Sequence, residues 1–279
     1  MLTAASAQAT RVLVVQSHDS PRLARTLQAL QANAGVPVDV IRLAPERDVA
    51  LETALANPEK NRVIVALGPR ASDLLVKSSN AGAVIHCLAG ADALRAGLPS
   101  VPSDPPADQQ AMWLKKLVPA ARSVGVLFDP STNTRRAEAI AASLDSAGYK
   151  ALLQPVTSAA SLPSSLAALT GRADVLLALP DRTVFAPEAV NGILLFSFRN
   201  AIPVIGPNDA WVRRGALFAV DWDYDEIGAM CAALALRGTQ SVRPPILAPV
   251  ARVWVNTKLA SHFGLRWDDA VLRGVVRHE

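Results

Sequence analysis

The sequence predicts an α/β protein of two doubly wound, parallel-sheet lobes joined by several chain crossings, and three observations carry that prediction. Strand-like and helix-like segments alternate from Arg11 onward without hairpin signals, the pattern of a parallel sheet covered by helices. The alternation stops once, in AGLPSVPSDPPAD (96–108), whose prolines and serines interrupt both helix and strand, and then begins again. Near the C-terminus one more helix and one more strand–helix unit follow, which reads as a late return of the chain to each lobe.

In order, RVLVVQS reads as a strand, PRLARTLQALQANAG as a helix with Pro21 in its first turn behind Ser20, and VDVIRL as a strand. DVALETALANPEK and PRASDLLVKSSN follow as helices around the strand NRVIVALG, and AVIHCLAG ends this half as a strand. The second half reads DQQAMWLKKLVPAA helix, SVGVLFD strand, TRRAEAIAASLDSAG helix, ALLQPV strand, SLPSSLAALTG helix, DVLLALP strand and PEAVNGILLFSFRN helix. IPVIG and ALFAV come next as strands, then a helix from Asp223 to about Arg237, an extended segment RPPILAPV, the strand ARVWVN and the helix TKLASHFG. The expected organisation is a loose N-terminus (1–9), an N-terminal lobe of 10–104 plus 224–246, and a C-terminal lobe of 105–223 plus 247–279.

Composition agrees and excludes some classes. Of 279 residues, 51% are hydrophobic and only 5% aromatic, which suits helices packed closely on strands and a chain long enough for two cores. Twenty-eight Lys and Arg against 24 Asp and Glu give +4, without a run of five like charges, so no nucleic-acid partner is expected. The apolar stretches fall short of the roughly 20 residues that span a bilayer, and no membrane insertion of the mature chain is expected. Cys87 and Cys231 form neither a CxxC motif nor a zinc spacing, and read as two buried thiols, with a disulfide as the alternative. The start MLTAASAQA ends in overlapping A-x-A patterns, like the cleavage end of a secretory signal.

FAVDWDYDEIG (218–228) gathers four carboxylates after an apolar run. The alternating Asp221, Asp223 and Asp225 imitate a calcium loop, but its sixth and twelfth positions hold Glu226 and Ala232 instead of Gly and Glu. No metal site is expected. Asp223-x-x-Glu226 is a capping box at a helix start.

The segments VPSDPPADQQAMWLKKLVPAARSVGVLFDPST (101–132), ADVLLALPDRTV (173–184), AIPVIGPNDAWVRRGALFAVDWDYDEIG (201–228) and VNTKLASHFGL (255–265) together resemble the ABC-transporter substrate-binding proteins of the type 1 periplasmic binding fold, related to tryptophan- and tyrosine-binding members. That family pairs two Rossmann-like lobes through a multi-strand hinge. The resemblance implies an exported, periplasmic or otherwise extracytoplasmic protein, a monomer that takes a small polar, amino-acid-like ligand into the cleft between lobes, closes about its hinge, and delivers the ligand to an ABC permease. It departs from the family pattern where Gly68-Pro69-Arg70-Ala71 replaces a Gly-Thr-Pro-Ala turn, and where Asp221 replaces a glycine.

Ligands of such sheets bind beyond the carboxyl ends of strands. The candidate contacts are therefore Ser17, His18 and Asp19; Pro69 and Arg70; Ser131, Thr132 and Asn133; Asp181, Arg182 and Thr183; Asn208 and Asp209; and Asp221 with Trp222. Arg70 could hold a carboxylate, Asp221 an ammonium, and the Trp222 indole a flat group. Each has a structural alternative, since Ser, Thr, Asp and Asn are the preferred capping types and aromatic side chains commonly pack in cores. No cofactor is expected. No nucleophile-elbow, phosphate-loop, dinucleotide or zinc-protease motif occurs, and the histidines at 18, 86, 262 and 278 are dispersed, so an enzyme on a flavodoxin-like fold is disfavoured. An extracytoplasmic ligand sensor without transport remains the open alternative.

Overall fold

The computed structural model of the protein describes residues 11–44, 48–57, 62–78, 84–179, 184, 187–237, 249 and 251–278. The chain divides into two compact units, Met1–Asp104 with Trp222–Val250, and Pro105–Asp221 with Ala251–Glu279. Unit 1 begins with β1 (Arg11–Gln16), α1 (Pro21–Asn33), β2 (Val38–Arg42), α2 (Val49–Ala56), β3 (Arg62–Leu67), α3 (Pro69–Val76), β4 (Val84–Ala89), α4 (Ala91–Arg95) and β5 (Ser100–Pro102). Unit 2 follows with α5 (Ala107–Leu117), β6 (Ser123–Phe128), α6 (Thr134–Ser146), β7 (Lys150–Pro155), α7 (Leu162–Ala167), β8 (Val175–Ala178), α8 (Pro187–Asn200), β9 (Val204–Gly206), α9 (Asp209–Arg214) and β10 (Phe218–Asp221). The chain then returns to unit 1 with α10 (Tyr224–Arg237) and to unit 2 with β11 (Arg252–Asn256), α11 (Thr257–His262) and β12 (Val275–His278).

In unit 1 the strands run in the order β2-β1-β3-β4-β5, all parallel. Because side chains alternate along a strand, Leu13 and Val15 of β1 join Ile64, Ala66, Ala71 and Leu75 in one core cluster. The other face is covered by α1, which buries Leu23, Leu27 and Leu30, and by α10, which packs on α1, β3 and β4. Ser20 caps α1 by accepting from the Leu23 N–H at 3.4 Å, with Pro21 in the first turn. The approach of α10 to α1 depends on Gly228. A Cβ there would lie 2.5 Å from the Ala29 Cβ and 2.8 Å from the Leu30 backbone nitrogen, with the Thr26 carbonyl oxygen nearer still. Across the same pair of helices the Arg25 guanidinium clasps both Asp225 oxygens. Both side chains are more than half exposed, so this pair adds at most modest stability.

In unit 2 the order is β12-β11-β10-β9-β8-β6-β7. Among the described residues β10 and β11 are the antiparallel neighbours and the other pairs are parallel. One core cluster holds Val124, Val126 and Phe128 with Leu114, Leu117, Ile140 and Leu144, and another holds Leu127 and Leu176 with Leu166, Leu169 and Ile193, so the sheet is buried on both faces. Asp174 ties the start of β8 to β6: one carboxylate oxygen accepts from the Arg122 and Ser123 N–H groups and the Ser123 hydroxyl, at 2.8 to 2.9 Å. Burial alone would raise this carboxyl, but those bonds and the Arg122 charge outweigh it and hold it below its ordinary value. Among the described residues no helix is long and apolar enough to cross a membrane.

The two-sheet α/β architecture is the expected one, and the differences from expectation are local. The Pro-rich stretch carries a strand after all: β5 pairs with β4 through His86↔Ser100 and Cys87↔Val101. It lies at the sheet edge, where a proline's missing N–H faces no partner strand. The segment between IPVIG and ALFAV holds α9, and β12 closes the sheet beyond β11. Cys87 and Cys231 are not free thiols; they form a disulfide with Cα atoms 6.3 Å apart. The A-x-A start and most of RPPILAPV lie outside the described residues.

His86 is 1% exposed in β4, with Nδ1 3.0 Å from the Ser72 hydroxyl oxygen. Burial lowers its pKa from 6.5 to about 4, because the interior disfavours the imidazolium. The sign follows from proton uptake. Between pH 6.5 and 4 the unfolded chain binds a proton that the folded chain does not, so stability is fully present above 6.5 and is lost as the pH falls. From pH 7 to pH 5 this one group is expected to remove about 2 kcal/mol. Denaturant melts at the two pH values check it, and His86→Gln should flatten the difference.

Candidate functional site

The carboxyl edge of unit 1's sheet is set by β1 and β3. The buried Ser17 hydroxyl accepts from the Ala71 N–H at 2.8 Å and so caps α3 from a different strand. Gly68 makes room for this contact: it has φ +96, and a Cβ there would lie 2.7 Å from Ser17 Oγ. Pro69 opens α3, and the exposed Arg70 donates to the Ala44 carbonyl after β2. At the α3 start the Ala71 N–H is thus engaged by Ser17 and the Ser72 N–H by the Gly68 carbonyl.

Gln16, not anticipated from sequence, shapes the next loop. Its side-chain N–H groups reach the His18 carbonyl at 2.9 Å and Asp19 Oδ1 at 3.1 Å, while Asp19 also faces Arg42 at 3.4 Å. With both acceptors on the nitrogen side, the amide orientation is fixed. The buried Gln16 Oε1 has no hydrogen-bond partner among the described residues. A lone polar residue ending the apolar run VVQ was its only signal in sequence.

In unit 2 the corresponding edge is organised by Asp129, also missed, which is 6% exposed at the end of β6. Its Oδ1 accepts from the Ser131 N–H at 2.8 Å and the Ser131 hydroxyl at 2.6 Å, and its carbonyl accepts from Thr132 and Asn133 N–H. Ser131 and Thr132 are exposed, and Asn133 starts α6 without a side-chain cap bond. Asn208 caps α9 by accepting from the Trp211 N–H at 3.3 Å, and Asp209 pairs with Arg213 at 2.6 Å within the helix. Asp181, Arg182 and Thr183 lie outside the described residues.

The acidic stretch separates into three environments. Asp221 ends β10, 6% exposed, directly opposite Arg252 in the antiparallel register, a cross-strand position where opposite charges favour one another. Asp223 caps α10, its Oδ1 accepting from the Asp225 N–H at 3.1 Å and the Glu226 N–H at 3.5 Å. Between them Trp222 is 1% exposed, and its indole N–H donates to the Pro102 carbonyl at 3.0 Å. In this structure the ring is buried and its one polar atom is engaged, as in the packing alternative for this residue.

Within each unit, then, polar side chains stand at the carboxyl ends of strands, after β1 and β3 in unit 1 and after β6 and β9 in unit 2, and several of them cap helix starts or bind loop backbone. The family model for "ABC transporter substrate binding protein" matches residues 45–277. The chain belongs to this family. Its solved likenesses include an ABC domain from Streptococcus pneumonia in complex with L-Trp, 17% identical, TM-score 0.68, covering 97% of this chain and 99% of that one. Another is the ligand-free, open structure of a substrate binding protein with adhesive properties from Clostridium difficile, 18% identical, TM-score 0.74, covering 97% and 99%. A third is an ABC transporter solute binding protein from Bacillus halodurans C-125 with bound myo-inositol, 13% identical, TM-score 0.62, covering 94% and 99%. At these identities the likeness carries the fold. No curated protein matches the chain. The family and these neighbours are binding proteins, and the fold class is that of type 1 periplasmic binding proteins.

Proposed function

We propose that this chain is an exported solute-binding protein that captures a small polar, amino-acid-like ligand, closes about its hinge, and hands the ligand to an ABC importer. The observation that supports the reading most is the family match across residues 45–277, joined by the polar loops at the carboxyl edges of both sheets. Export and a monomeric state belong to the same proposal. A thermal-shift screen of amino acids, small peptides, nucleosides, polyols and organic acids tests it. Ligand at 100 times its Kd should add ~2.7 kcal/mol of apparent stability, and closure should reduce the scattering radius. A screen in which no small polar molecule shifts the melt would count against the reading.

Within this proposal Asp221 recognises a cationic group of the ligand, whereas the neighbouring Asp223 is a cap. Asp221→Asn should weaken binding roughly 10- to 150-fold, the value of a charge-assisted bond. Asp223→Ala should leave affinity nearly intact and lower stability by ~0.5–2 kcal/mol. Calorimetry and ligand-free melts separate the two. If Asp221→Asn binds as wild type and melts earlier, its role is the cross-strand pairing with Arg252.

A further inference from the structure

Unit 1 is assembled from two pieces of chain that the whole first segment of unit 2 separates. The later piece docks through α10, and two positions one turn apart on that helix make the contact. Gly228 lies against α1, and Cys231 is bonded to Cys87 of β4. Both cysteines are 0% exposed. The Cys87 strand is also specialised locally: its carbonyl accepts from the Gly68 N–H at 2.8 Å, and the next residue, Leu88, has φ +53 at a shift in the β4–β5 register.

Disulfide exchange needs a thiolate to reach a sulfur along an open path. Neither sulfur has one once α10 is docked. We propose that Cys87 and Cys231 are the substrate dithiol of a disulfide-donating carrier protein, that they are oxidised before α10 docks, and that the bond then clasps the late-made piece of unit 1 to the early one. One cysteine thiolate attacks the carrier's disulfide, forming a mixed disulfide and releasing one carrier thiolate. The second cysteine thiolate attacks the chain's sulfur in that mixed disulfide, closing Cys87–Cys231 and expelling the carrier's other thiolate. The chain loses two electrons and two protons, and the carrier's disulfide takes up both as a dithiol. Such bonds persist in oxidising compartments, and the inference does not depend on which ligand the protein binds.

The test uses the full chain directed to the periplasm of bacteria with or without their dithiol-oxidising carrier. After denaturing alkylation without reductant, intact mass should show no adduct with the carrier and two adducts without it. Two adducts in both strains, or none in both, would overturn the carrier step. Purified wild type should be reduced by a phosphine roughly a hundredfold or more slowly in buffer than in urea, since core elements open rarely. Equal rates would overturn the order of bond and docking. The Cys87→Ala/Cys231→Ala variant should melt several degrees lower and exchange its α10 amides faster, and an unchanged melt with unchanged exchange would overturn the clasp. The mass and reduction measurements need only wild type, so they decide even where that variant does not fold.

Discussion

Trp222→Ala is expected to remove about 3–5 kcal/mol of stability, the cost of deleting a large aromatic from a core that relaxes only partly. The side chain is among the largest fully buried ones, at 1% exposure. Its loss would also leave the part-buried Pro102 carbonyl, now bonded to the indole N–H at 3.0 Å, without that donor, which adds a smaller penalty. Trp222→Phe should fall between, keeping most of the volume and losing the bond. Denaturant midpoints of the three proteins measure this. A Trp222→Ala protein with wild-type stability and lost ligand affinity would place the residue at the binding surface.

Gly228→Leu should cost more than about 3 kcal/mol, at and beyond the usual range for overpacking a close contact. The groups it would strike are largely α1 backbone at Thr26 and Leu30, together with the Ala29 Cβ, and backbone yields less than a flexible side chain. Gly228→Ala gives the sharper test of cause. Helix propensity alone predicts a gain of up to about 1 kcal/mol, whereas the contact predicts a loss of about 1–3 kcal/mol. Thermal melts decide the sign, and a stabilised alanine variant would mean that α10 stands farther from α1 than described.

What the sequence disclosed was whatever local chemistry determines. The β1–α1 entry was legible because Ser20 and Pro21 suit only a helix start, and Asp223 because a capping box is written in four consecutive residues. Features made by distant partners were not. Residues 100–102 become β5 only because β4 offers an edge, α9 is six residues long and too short for a periodic signal, and the partner of Cys87 lies 144 residues away. For Trp222 the ligand and packing readings stood side by side, because the end of a strand looks the same whether the next side chain turns outward or toward the carbonyl of Pro102. For the candidate site, the loops were found but their organisers, Gln16 and Asp129, were not, since each does its work through bonds that spacing does not reveal.

The return of β11 to unit 2 has a consequence for fragments of this protein. With β9 on one side and β11 on the other, β10 is an interior strand. A product ending at Asp221, or cleaved before Ala251, would leave Phe218–Asp221 bordered by a row of unpaired N–H and C=O groups on a strand whose four residues are now all buried. Open apolar edges of that kind recruit the same edge of another copy. The C-terminal segment thus acts as a guard against self-association, and an incomplete copy of the chain should precipitate well before it unfolds.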